Sequence, residues 1–414
     1  MKLFLNAHAT HPDWRMALAL VTAQLQAQLG RDDHIDTPTL GWVYLSDHYA
    51  AHAERLVDEL RAQWPGVAWV GSVGVGIAAN GVEYFDEPAL SLMLGDIAPA
   101  HFRVFSGAQP LSAPPLFAAV AAQVHADPAA HDAAELIGEL ASQTRSGPLY
   151  LFGGLASARN RSLHIANGVL QGGLSGVAFD ASVPMISRVT QGCQPVGPVR
   201  RITGAERNLV LTLDGESALD CLLRDMSADA LEPREALQRL RGVLVGLSDA
   251  GDAPERGGSF GSETRVRNVV GVDPNRRGVA VTELVEPGMQ LAFCQRNTEA
   301  ARRDLVRICT EIREELEPEA LALQTALELR GDDIDSAPHP ARQIAGAIYV
   351  SCAGRGGPHF GAPSAELALV RHALGDVPLV GFFASGEIAH RHLYGYTGVL
   401  TVFTAGTSDP TGSR

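Results

Sequence analysis

The sequence predicts an α/β protein, α+β-like in its mixed sheets and built from two related modules, and three observations predict it. Short apolar runs of strand length alternate with amphipathic helical stretches. Many of those runs are joined by tight turns rather than helices, which makes the sheets partly antiparallel. The order strand, helix, strand, glycine turn, strand occurs near both ends of the chain, which points to internal duplication.

The first copy opens with Gly41 to Ser46, an uninterrupted apolar run that reads as a buried strand. Asp47 is placed to cap a helix, along which Tyr49, Ala53, Leu56, Val57, Leu60 and Trp64 share one face. Pro65-Gly66 ends it, Val67 to Val70 form a second strand, and Gly71-Ser72-Val73-Gly74-Val75-Gly76 reads as a glycine-rich turn. Ala89 to Leu94 return as a third strand. In the second copy Gly346 to Ser351 are the strand, and a helix from about Ser364 carries Leu367, Val370 and Leu374 inward and stops at Gly375. Leu379 to Ile388 then hold the second strand and its turn, and Tyr396 to Phe403 close the unit. A partial third echo is Leu149 to Ser157 with strands running on to Phe179. Helices are also expected near 132–143, opened by Asp132 and Glu135 in capping-box spacing, and from Glu299 to Leu316 with Leu305, Ile308, Cys309 and Ile312 inward. Asp249 to Ser262 and Arg330 to Pro340 read as linkers.

At 414 residues the chain exceeds one ordinary core. The modules are expected at residues 1–235 and 236–414. A net charge of -14 argues against nucleic-acid partners and against anionic membrane surfaces; the pair Arg200-Arg201 is too short to reverse that. Lys2 is the only lysine, so a P-loop, a protein-kinase site and a pyridoxal Schiff base cannot be built. No apolar run approaches the roughly 20 residues that span a bilayer, and the N-terminus lacks a secretory core. The 5 cysteines are widely spaced and odd in number, which suits reduced thiols in a cytoplasm.

Gly74 to Ala79 match a dinucleotide fingerprint in letters, but Asn80-Gly81 turns the chain where a helix would have to begin, so nucleotide binding is not expected. His48 and His52 have a chelating spacing without further ligands, as do His8 with His11 and His390 with His392; none is assigned a metal. Cys352 ends a strand in Ser351-Cys352-Ala353-Gly354-Arg355-Gly356 and has two readings, a nucleophile or a small buried thiol. Arg355 has two as well: a planar fork for a ligand carboxylate, or an ordinary surface arginine. Glu387, at the end of an apolar strand, either faces a cleft as an acceptor for an amine or binds backbone amides in its own turn. Gln191 to Pro198 reads as a polar loop after the strand Met185 to Val189.

Taken together, Ala68 to Gly76 with Gly81 to Leu94, then Gly153 to Ser157, Gln191 to Gly197, Val266 to Asp273, Ser351 to Gly356, Gly381 to Ile388 and Tyr396-Thr397-Gly398 resemble the FIST family, named for F-box and intracellular signal transduction proteins. The resemblance implies a cytoplasmic sensory module for a small ligand, of the amino acid or organic acid class, that signals through a separate protein partner. Ser72 stands where the family often carries a cysteine. The candidate contacts are Gly71, Ser72, Gly153, Gly154, Ser157, Gln191, Gly192, Cys193, Ser351, Cys352, Arg355, Ser385, Gly386 and Glu387. No catalytic residue, metal or cofactor is assigned. Two alternatives stand beside the sensor: a cysteine-dependent acyl-transfer or hydrolytic enzyme using Cys352 or Cys193, and a protein-interaction scaffold.

Overall fold

The computed structural model describes residues 2–113, 117–130, 132–142, 148–250, 264–316 and 344–404. Most of the two expected linkers lies outside them. The chain forms two compact units: Met1–Thr190 with Leu305–Leu393 and Thr397–Arg414, and Gln191–Asp304 with Tyr394–Tyr396. Residues 235 and 236 both belong to the second unit.

Among its described residues the first unit holds three sheets of six strands each, and all three have the same plan. Each centres on a parallel pair joined by a helix. The pairs are Leu40–Ser46 with Ala68–Gly74, Ala121–Ala126 with Tyr150–Leu155, and Ile344–Cys352 with Leu379–Ala384. The connecting helices include Ala53–Gln63, Ala133–Ser142 and Ala365–Leu374. The apolar faces of these helices (Leu56, Val57 and Leu60; Ile137 and Leu140; Leu367, Val370 and Leu374) are buried, as helical spacing requires. On one side of each pair an antiparallel strand closes the repeat: Ala89–Gly95, Leu174–Phe179 and Thr397–Thr404.

On the other side the repeats exchange hairpins in a cycle. The hairpin Gly76–Ala79/Val82–Phe85, which follows the first repeat's second strand, pairs with Leu379–Ala384. His164–Ala166/Val169–Leu170 pairs with Ala68–Gly74, and Glu387–His390 pairs with Tyr150–Leu155. The duplication expected from sequence is therefore present, and the partial echo at Leu149 to Ser157 is a complete third copy. Strands from both ends of the chain share sheets, so no one repeat completes a sheet alone.

A glycine stands at the same place in every copy. Gly71, Gly153 and Gly381 lie mid-strand, opposite Val43, Val124 and Tyr349 of the parallel neighbour. A Cβ on them would come within 1.8, 2.0 and 1.7 Å of the carbonyl oxygens of those three residues. Only hydrogen fits in that space. Gly71 and Ser72 are consequently inside the strand Ala68–Gly74 and not in a turn; the chain turns at Val75.

Where the sheets meet, polar side chains are buried and paired. Trp42 Nε1 donates to Gln123 Oε1 (2.8 Å), Gln123 Nε2 donates to the Tyr44 hydroxyl (2.6 Å), and that hydroxyl lies 3.1 Å from His125 Nε2. Tyr44 stacks on Phe382 at 5.3 Å and 15°. Burial, with His164 adding to it, pushes His125 down to about 3, so its ring is neutral and accepts.

Several local expectations change. Ser46 precedes a short 3₁₀ turn, Asp47–His52, before the helix begins at Ala53. Asp47 does not cap it; its carboxylate accepts from Arg159 Nε (2.8 Å), Nη2 (2.7 Å) and the Arg159 amide (3.0 Å). Gln191 and Cys193 lie on strands, Met185–Gln191 and Cys193–Pro195, where a loop was expected. The expectation that no helix begins at Gly74 to Ala79 holds: Gly76–Ala79 is a strand, and Val82–Phe85 follows it across the Asn80-Gly81 turn.

The second unit is a closed antiparallel ring of strands. Gln290–Arg296 pairs with Arg200–Glu206, and pairing continues through Leu209–Leu213, Gly278–Val281, Arg265–Asp273 and Leu244–Ser248 back to Gln290–Arg296. Ile202, Val210, Val245, Leu247, Val279, Val281, Leu291 and Phe293 fill its core together with Leu219 and Leu222 of the helix Ala218–Asp225. Among the described residues, closure leaves this ring without open edges. Arg200 makes a bidentate pair with Asp225 (2.6 and 2.7 Å). Among the described residues no helix is long and apolar enough to cross a membrane.

The close approach at Gly381 sets a measurable expectation. Gly381→Ala should lower the unfolding free energy by at least about 2 kcal/mol, as expected for forced overpacking. Gly138, in a helix with nothing within 4 Å of an added Cβ, is the control, and Gly138→Ala should stabilise by up to about 1 kcal/mol. Denaturant titration of both variants decides it.

Candidate functional site

The second strands of the three repeats end at Gly74, Leu155 and Ala384, and their following turns are bonded to one another. The Ser157 hydroxyl donates to Phe383 O and accepts the Val75 amide (3.1 Å). Ser385 Oγ donates to Ala156 O (2.7 Å), the Ser385 amide donates to Leu155 O (3.1 Å), and the Leu155 amide donates to Gly386 O (2.8 Å). The Ala353 amide reaches Ala384 O at 2.7 Å, which ties in the end of the strand carrying Ser351 and Cys352. Glu387 pairs with Gly154 across the exchanged hairpin. Nine candidate residues are thus gathered at one junction: Gly153, Gly154, Ser157, Ser351, Cys352, Arg355, Ser385, Gly386 and Glu387.

The other five are elsewhere. Gly71 and Ser72 are buried within their strand, Ser72 donating weakly to Val73 O and Leu163 O (3.3 and 3.4 Å). Gln191, Gly192 and Cys193 belong to the second unit. There Cys193 is buried on a strand paired with Gln290–Arg296, and its free thiol shares a hydrogen bond with that of Cys294, which is pushed well up by burial and then by Cys193. Cys309 is buried on its helix as expected, and burial pushes it up to about 12. Among the described residues no group of three or more His, Cys, Asp and Glu is arranged to hold a metal.

Arg355 is neither a surface residue nor open to a ligand carboxylate. It is 1% exposed, and its anion is Glu366, itself 0% exposed. Nε and Nη2 reach Glu366 Oε1 at 3.0 and 2.7 Å, and Nη1 reaches Thr190 O at 3.3 Å. The Glu366 carboxylate also accepts from the Tyr349 hydroxyl (2.6 Å) and the Ser351 hydroxyl (3.1 Å to each oxygen). The guanidinium lies over Phe360, 5.2 Å from the ring centroid. Burial works against the charge on Arg355, but Glu366 prevails and holds it. Ion pairs this deep need further hydrogen bonds to offset desolvation, and the Tyr349 and Ser351 hydroxyls supply them here.

Glu83 extends the cluster. Its Oε1 accepts the Glu366 and Leu367 amides (3.0 and 3.2 Å) at the start of the Ala365–Leu374 helix. Burial, then the Glu366 charge, push Glu83 up to about 7 despite those bonds.

Glu387 is 0% exposed. Its Oε2 accepts the Thr397 amide (3.1 Å) and hydroxyl (2.7 Å). Its Oε1 has no nitrogen or oxygen donor on it among the described residues. Burial pushes the carboxyl up to about 7, with Thr397, Arg355 and the adjacent Cys352 thiol pulling the other way. Cys352 is partly exposed, unlike the other four cysteines, which are buried.

Sequence reasoning missed Glu366, Glu83, Thr397 and Tyr349. Glu366 did leave a signal: it lies four residues before Val370, on the apolar stripe of its helix, where an unpaired carboxylate would be costly. A surface groove of about 590 Å³, lined by Asp58, Arg61, Trp64, Ala68 and Asn167 among others, sits at the opposite end of the strand that finishes at Gly74. It is remote from this chemistry.

Family models match most of the chain: a FIST N domain at residues 39–216 and a FIST C domain at 218–390. The chain belongs to the FIST family. FIST domains are sensory domains of signal transduction. The chain is similar to an uncharacterized protein of Mycobacterium tuberculosis (strain H37Rv), 29% identical over 412 residues that cover 95% of this chain and 98% of that one. It is also similar to an uncharacterized protein of Mycobacterium bovis, 28% identical over 415 residues, 95% of this chain and 97% of its relative.

Two measurements probe the FIST cluster. Glu83 and Glu387 have folded pKa values above their unfolded ones, so each holds a proton in the folded chain that the unfolded chain has released. Their contribution is full below about pH 4.5 and is lost as pH rises through about 7, at most about 3 kcal/mol each. Glu387→Gln should flatten that part of a stability-against-pH curve. Arg355→Gln, which strands Glu366, should cost about 3–5 kcal/mol, whereas Arg355→Met with Glu366→Met should recover most of it.

Proposed function

We propose that this FIST chain is a cytoplasmic sensor that binds a small metabolite, an amino acid or a related compound, and passes the signal to a separate protein partner. The ligand seats at the strand-end junction around Cys352, Ser385 and Glu387. One observation carries this reading: Oε1 of the fully buried Glu387, at the strand-end junction, has no nitrogen or oxygen donor among the described residues. A buried acceptor served by no donor stronger than a thiol is under-satisfied, a penalty of up to about 1–3 kcal/mol, and a ligand ammonium or amide would supply the strong donor. Cys352 and Ala353, both partly exposed, and the exposed Gly354 give the junction contact with solvent. A ligand carboxylate, in this scheme, is held by main-chain amides of the glycine turns, because Arg355 is committed to Glu366.

A thermal-shift screen with amino acids, amines, organic acids and nucleotides tests it. A ligand at 100 times its Kd raises stability by about 2.7 kcal/mol. The expected hit carries an amine, and Glu387→Gln abolishes its shift. A flat response across the library removes the proposal.

A further inference from the structure

The junction contains a pairing that simple ligand holding does not use. Cys352 is the one cysteine of five that is not buried, and its thiol lies within hydrogen-bonding reach of the Glu387 carboxylate. That carboxylate is anchored on one oxygen only, by Thr397, and its other oxygen has no nitrogen or oxygen donor among the described residues. The thiol of a partly exposed residue, a carboxylate beside it with an oxygen free of nitrogen and oxygen donors among the described residues, and a fixed guanidinium nearby are the parts of a proton-shuttling thiol centre.

We propose that Cys352 and Glu387 form a thiol–carboxylate dyad that captures small, neutral α,β-unsaturated carbonyl compounds. The Cys352 proton passes to Glu387 as a sulfur lone pair forms the bond to the β-carbon. The C=C π pair moves toward the carbonyl, and the resulting enolate takes the proton back from Glu387 at the α-carbon. The sum is addition of S–H across C=C, with no leaving group and no oxidant. Neutral electrophiles are selected because Glu387 is the carboxylate facing the thiol and Arg355 is already spent on Glu366. A carboxyl held near 7 by burial can both take and return a proton near neutral pH. The inference rests on the strand-end site being open to small molecules, and adds covalent chemistry to it.

Acrylamide is the probe, with intact mass and peptide mapping as the readout. At pH 7 the wild-type chain should gain one adduct, on Cys352, and Cys352→Ser should gain none over the same time. Glu387→Gln should react at least tenfold more slowly. The wild-type rate against pH should bend near 7, where an unassisted thiol bends near 8.5; this arm needs no variant and decides the matter if Glu387→Gln does not fold. Equal rates with and without Glu387, a bend in the ordinary thiol range, or first modification of a buried cysteine would each overturn the dyad. Run beside the ligand screen, the two readings separate: melting shifts without acrylamide addition remove the dyad alone, and addition without melting shifts removes the amine-ligand sensor alone.

Discussion

Three main-chain contacts set the frame: a glycine in the second strand of each parallel pair lies hard against a carbonyl of the first. Because a Cβ on Gly71, Gly153 or Gly381 would fall within 1.8, 2.0 or 1.7 Å of that carbonyl oxygen, the paired strands keep their register along their whole length. Register fixes where each strand stops. That places Gly74, Leu155 and Ala384 level at one junction and lets the turns after them bond to one another. A slip of one residue would also turn every buried side chain of a strand to the wrong face.

The exchange of hairpins makes this frame cooperative. Each sheet borrows its outer hairpin from another repeat, so the unit cannot lose one copy and keep the others. Residues nearly 300 apart in sequence become neighbours in this way: the Glu83 carboxylate receives the Glu366 and Leu367 amides because its hairpin packs in the C-terminal sheet. The buried charge at Arg355 and Glu366 is tolerated because the frame brings it Tyr349, Ser351 and Thr190 as well. Such a cluster specifies one arrangement of the loops around it, since any other would strand a charge.

Against this background Glu387 is the exception. Among the buried carboxylates of the cluster, Glu387 is the one with an oxygen that lacks a nitrogen or oxygen donor among the described residues, and it stands beside a partly exposed cysteine. Buried polar groups are seldom left so, and functional sites are where that rule is relaxed.

Much of this was legible in the residues. Apolar runs and helical stripes located the parallel pairs and their helices, because periodicity is local and burial follows it. The strand-end segments Gly153 to Ser157, Ser351 to Arg355 and Ser385 to Glu387 stood out because glycine, serine and charge at the end of an apolar strand are unusual neighbours. Sequence alone determined the class of fold, the repeated order and the residue types available to the site. Only the tertiary structure decided that Gly71 and Gly153 are packing contacts and not turns, that Arg355 serves Glu366, that Cys193 belongs to the other unit, and that Cys352 faces Glu387. The reason is physical: which oxygen a side chain meets depends on strands from distant parts of the chain. No local pattern encodes the exchange of hairpins that brings them together.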